Sequence, residues 1–213
     1  MGRSEPSRTL LYIPIIHSQS DMGTLSESFR KITLQKLGAR VWHQKVNLVD
    51  RFWTTVEDTL NSLSDVYEQT RLYQDGVPVC GKELDIVKEL AKNGSLNHQL
   101  LVRLIEKGAT IMGTESPDLL IEEYQLTHLI LESGDLKEAI RMETMQKATS
   151  SLLLAKRDAF IAARIDRTLS VGETGILFLG LLHNPAVLLP SDIKVLYPMH
   201  KPLDKKGDAY ARA

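Results

Sequence analysis

Two wholly apolar segments, "LLYIPII" at 10–16 and "GILFLGLL" at 175–182, constrain the fold of this chain more than any other feature in it. A strand with one wet face alternates apolar with polar residues. An unbroken apolar run of this length, rich in β-branched Ile13, Ile15 and Ile16, marks a strand covered on both sides. The shorter runs agree: "RLYQDGVPV" reads as a strand ending at Asp75 with a turn at Gly76, "GATIM" as a strand ending near Glu115, and "IKVLYP" as a last strand. Long helical stretches separate them. The expected fold is therefore α/β, a three-layer sandwich with a mostly parallel sheet of about five strands and long helices on both faces. The strands are expected near 10–16, 71–75, 109–114, 175–182 and 193–197.

The helices are signalled by their ends and their periodicity. Thr24 and Glu27 have the spacing of a capping box, which starts a helix near residue 25 that runs towards Gly38. Between 45 and 68, Val46, Val49, Phe52, Trp53, Val56, Leu60 and Leu63 recur at helical spacing, and Trp42, Phe52 and Trp53 read as packing aromatics. Helices at 81–93 and 96–107 are each closed by a glycine, Gly94 and Gly108. Ser116 and Pro117 suit the cap and first turn of another. From Asp135 to Leu169 there is neither Pro nor Gly, which predicts one or two long helices. Unbroken, that stretch spans about 50 Å, more than a domain of this size covers alone. Its apolar "SSLLLA" is expected to need a partner in a homodimer.

The length suits one α/β domain over 1–213, with flexible tails at 1–8 and 203–213. Lys and Arg (26) balance Asp and Glu (27), so charge gives no reason to expect nucleic acid or an anionic membrane as partner. No apolar run approaches the roughly 20 residues of a membrane span. Cys80 stands alone, which excludes an intrachain disulfide and a Cys-only zinc site, and it reads as a packed thiol. A soluble, cytoplasmic protein is expected. The phosphate loop, Gly-x-Gly-x-x-Gly, Gly-x-Ser-x-Gly and His-Glu-x-x-His motifs are all absent.

The chemistry-bearing residues fall at strand ends. His17, Asp75, Glu115 and His183 lie at or just beyond the carboxyl ends of four expected strands, and in a parallel sheet those ends share one edge, where the loops splay apart. Two imidazoles and two carboxylates suit zinc, manganese or iron, and equally suit acid/base activation of water. Asp21, Glu122 and Arg157 are candidates to join them. The bland reading is that polar residues collect wherever a chain leaves its core, with Glu115 serving only the dipole of the following helix. Both His17 and His183 are expected outside the packed core. His43, His98, His128 and His200 read as surface or core-rim residues.

The ends "IPIIH" (13–17) and "LGLLH" (179–183), with "KRDAFIAARIDRTL" before the second, resemble the TraB and Tiki proteins and the wider erythromycin-esterase superfamily. That group carries two Gly-x-x-His motifs, an acidic residue after an early strand and an Arg on the helix before the second motif. Here Gly180 to His183 matches outright, Pro14 replaces the first Gly, Asp75 stands where the family usually has Glu, and Arg157 is the candidate helix Arg. The resemblance implies a hydrolase of peptidase or esterase type, with or without a divalent metal (zinc, manganese or iron). His17 and His183 are its expected ligands or base, and Asp75 and Glu115 its further ligands or water activators. A rival reading is a non-catalytic homo-oligomer that binds a small molecule, a peptide or a partner protein through the same edge. A nucleotide at the amino end of the "SPDLL" helix ranks last, because Glu115 and Asp118 repel phosphate.

Overall fold

The structure, a computed structural model, describes residues 8–15, 26–63, 67–131 and 136–199. His17, Asp21, Thr24, His200 and the stretches 1–7 and 203–213 lie outside the described residues, as do the side chains of Trp42 and His43. Five strands, β1 (Arg8–Ile15), β2 (Thr70–Gln74), β3 (Thr110–Met112), β4 (Thr174–Gly180) and β5 (Ile193–Leu196), form one sheet in the order β3-β2-β4-β1-β5. Every neighbouring pair is parallel, so the carboxyl ends share one edge. The six helices among the described residues are α1 (Ser26–Leu37), α2 (Ala39–Leu63), α3 (Glu83–Lys92), α4 (Leu96–Glu106), α5 (Pro117–Leu131) and α6 (Leu136–Thr168).

The unbroken apolar runs are explained by which way alternate residues face. Ile13, Ile15, Leu72, Ile176 and Phe178 pack on one side against Val49, Trp53, Val56 and Leu60 of α2, Val87 of α3 and Leu100, Leu101 and Leu104 of α4. Leu10, Tyr12, Tyr73, Leu177 and Leu179 pack on the other against Ile161 and Ile165 of α6. Period-two geometry sends each strand's residues to both layers in turn, and both layers are apolar. Burying each such side chain contributes about 1.5–3 kcal/mol. Trp53 meets Phe178 at 6.5 Å and Phe52 edge-on at 5.3 Å between ring centres, as packing aromatics do.

Several boundaries differ from the sequence reading, the start of β1 and the length of β3 above all. Arg8 belongs to no tail: it opens β1 and is buried, its guanidinium bonding Asp192 and Asp166 at 2.8 Å each and the Asp166 carbonyl at 2.6 Å. Those bonds tie the start of β1 to the end of α6, which outweighs the polar character of the preceding residues. β3 is three residues rather than six, because the chain leaves the ladder at Gly113 to close on the segment after β2. The stretch from 136 to 168 is one helix, unbroken at Ser150. No described helix is long and apolar enough to cross a membrane.

Candidate active site at the carboxyl edge

The loops after β2 and β4 part to opposite faces. β2 continues into α3, packed with α2 and α4, whereas the turn after β4 leads to a 3-10 segment, Pro185–Leu188, against α6. Asp75 and His183, both buried, stand where these two loops part.

Asp75 extends β2 by one residue, its backbone N–H donating to the Phe178 carbonyl at 2.9 Å. Gly76, at φ +77°, then turns the chain away, a conformation in which any other residue is strained. Glu115 is delivered by a second close approach. A Cβ on Gly113 would meet the Val79 Cα at 2.6 Å and the Pro78 carbonyl at 2.9 Å. With no side chain there, the N–H groups of Thr114 and Glu115 reach the Val77 carbonyl at 2.9 and 3.0 Å, and Glu115 becomes fully buried. His183 is set by a turn in which its N–H donates to the Gly180 carbonyl at 3.0 Å, while the Tyr12 hydroxyl donates to its own carbonyl at 3.1 Å.

Arg157 on α6 joins the two acids. Its Nη2 donates to Asp75 Oδ1 at 2.8 Å and to Glu115 Oε1 at 2.6 Å, its Nε to Glu115 Oε2 at 3.2 Å, and its Nη1 lies 2.5 Å from Glu123 Oε1. The second oxygen of Asp75 accepts the Gly180 N–H at 2.9 Å. One residue further along α6, Asp158 Oδ1 lies 2.6 Å from His183 Nδ1, and its Oδ2 accepts the Asn184 N–H at 3.0 Å. An ionised carboxylate only accepts, so Nδ1 carries a proton, and in the neutral ring Nε2 then has the lone pair. Nε2 lies 3.9 Å from Asp75 Oδ2. The separation is too long for a hydrogen bond and right for an atom held between them.

Among the described residues, the buried carboxylates of Asp75 and Glu115 share the guanidinium of Arg157, with half-exposed Glu123 beyond it, while buried Asp158 pairs with His183. Burial pushes the Glu115 carboxyl above its ordinary value, against the downward pull of Arg157. The donor atoms of Asp75, Glu115 and His183 lie within 4.8 Å of one another, a group that can hold a metal ion. An imidazole and two carboxylates are ligand types that suit a divalent cation.

Asp75, Glu115, His183 and Arg157 thus converge as the residues at the strand ends suggested. His17 lies outside the described residues. His183 is not outside the packed core but 5 % exposed, because its ring turns inward to Asp158. Glu123 rather than Glu122 reaches Arg157, a difference of one position and hence about 100° around α5. Asp158 was missed, although it adjoins Arg157 in "KRDAF"; two charged neighbours on a helix reach two different groups. His98 is buried rather than at the rim, its Nδ1 2.7 Å from the Ser95 hydroxyl. Cys80 is exposed rather than packed. No protein-family model, no curated protein and no solved structure matches this chain.

Proposed function

We propose that this chain is a hydrolase that activates a water molecule between His183 and Asp75, with His183 as general base. The observation that carries the reading is the 3.9 Å gap between Nε2 and Oδ2, with the far side of the imidazole fixed by Asp158. A water there donates one proton to Nε2 and the other to Oδ2. As its oxygen adds to the carbonyl carbon of an ester or amide, His183 takes its proton, and Asp158 stabilises the imidazolium that forms. Collapse of the tetrahedral adduct breaks the bond to the leaving group, and Nε2 returns the proton to it. Arg157 is a positioning residue: its guanidinium holds both carboxylates in place and opposes the upward push of burial on Glu115.

A second reading, metal assistance, is favoured by the donor atoms of Asp75, Glu115 and His183 lying within 4.8 Å of one another. Asp75, Glu115 and His183 would hold zinc, manganese or iron, which supplies a more acidic water and a Lewis acid when bound. The resemblance to the TraB and Tiki proteins supports hydrolysis under either reading. The rival of a non-catalytic homodimer draws on exposed Met145 and Leu152 of α6, both more than half exposed.

Turnover by untagged protein decides between them. Aryl acetates and peptide anilides are offered with chelator and with added zinc, manganese or iron. His183→Gln is expected to lower turnover on the order of 10²–10⁴-fold at an unchanged circular dichroism spectrum. Loss of wild-type activity in chelator and its return with one metal selects the metal-assisted form. Activity retained in His183→Gln, or absent from the wild type on every substrate, contradicts the hydrolase.

A further inference from the structure

The edge of the sheet opposite Asp75 and His183 carries a second arrangement of polar groups. Thr9 on β1, Thr70 on β2 and Thr174 on β4 are register partners, with Thr174 between the other two. Side chains in register on parallel strands point to the same face, here that of Leu11, Leu72 and Ile176, over which α2 packs. Three hydroxyls thus stand in a row. They line a cavity of about 450 Å³, to which Leu60 and Leu63 from the end of α2, and Tyr67 beyond it, give apolar walls. A volume of this size is ordinary for a small-molecule site.

The backbone N–H groups of the row are taken, Thr9 donating to the Glu173 carbonyl, Thr174 to that of Gln69 and Thr70 to that of Tyr67. The hydroxyls are not. Among the described residues none of the three bonds to another group of the protein, although Thr70 is only 7 % exposed. A buried hydroxyl left unpaired costs stability, and one that lines a cavity can be paired by what enters it. Charge narrows the choice. Among the described residues Glu68, exposed at the rim, is the one charged side chain that lines the cavity, while Arg71 pairs with Glu173 and Lys107 donates to Asn61. An anion finds no partner there.

We propose that this cavity at the amino edge of the sheet binds an uncharged small molecule with an apolar body and a carbonyl or amide edge, which the hydroxyls of Thr9, Thr70 and Thr174 recognise. The site lies at the far end of β2 and β4 from His183 and does not depend on the hydrolase reading.

The test titrates 2-naphthamide, 2-naphthoate and 2-naphthylmethylammonium into the ¹⁵N-labelled full chain, followed by ¹H–¹⁵N spectra. Naphthamide is expected to shift the amide signals of Thr9, Thr70 and Thr174 with a Kd on the order of 1 mM, as suits so small a ligand, and both charged analogues should bind at least roughly tenfold more weakly. Thr70→Val keeps the shape and removes the hydroxyl, so it should weaken naphthamide about three- to tenfold while raising the midpoint of thermal unfolding; Thr70→Ser should retain most of the binding. Equal binding of naphthamide by Thr70→Val, or a charged analogue that binds as tightly as the amide, overturns the proposal. So does the absence of shifts at the three threonines with every probe. A lowered midpoint in Thr70→Val overturns it too, because the hydroxyl would then be satisfied within the protein.

Discussion

Replacing Arg157 by Met is expected to lower the free energy of unfolding by about 3–5 kcal/mol, because it removes the guanidinium that pairs the buried carboxylates of Asp75 and Glu115. For a chain of this size the midpoint of thermal unfolding should fall by roughly 10 °C. The methyl end of Met fills part of the vacated volume, so the loss is mainly electrostatic. Combining Arg157→Met with Asp75→Asn and Glu115→Gln should recover part of it, since neutral amides cost less to bury than unpaired anions. A loss under about 1 kcal/mol in Arg157→Met would mean that water or another cation screens the two acids, and the account of their burial would be wrong.

Asp158→Asn should leave the fold nearly intact, at a cost of about 1 kcal/mol, and lower turnover on the order of 10²–10⁴-fold. The reason lies in the two bonds that Asp158 accepts. The Asn184 N–H claims one oxygen. An Asn in this place keeps its carbonyl there and turns its NH₂ towards His183 Nδ1, which must then accept rather than donate. The imidazole proton moves to Nε2, and the lone pair that should receive the water's proton is lost. Turnover unchanged in Asp158→Asn would show that the imidazole orientation is immaterial to the reaction.

What was legible in the sequence is what depends on local pattern. The double-sided apolar runs of β1 and β4 implied helices on both faces, and the polar exits at Asp75 and His183 marked the edge where the buried polar cluster lies. The distribution of charge across that edge was not legible. Whether Arg157 reaches Asp75 depends on where α6 crosses the sheet, and the choice of Glu123 over Glu122 depends on the rotation of α5. Neither leaves a mark on spacing within its own helix. The inward turn of His183 was hidden for the same reason, since its partner Asp158 lies 25 positions away on another element. Glu115 looked like a helix-end acid because Ser116 and Pro117 follow it. Its burial comes instead from Gly113, whose missing side chain lets the chain close on Val79.

The central claim is that His183 offers an unprotonated Nε2 to a water shared with Asp75. Long-range ¹⁵N–¹H correlation spectra of protein labelled in its histidine rings read this directly, without knowledge of the substrate, once His183→Gln has assigned the signals. At neutral pH the account predicts a protonated Nδ1 and a bare Nε2 in the wild type, with the proton moved to Nε2 in Asp158→Asn. A wild-type ring that carries its proton on Nε2, with Nδ1 bare, would contradict it.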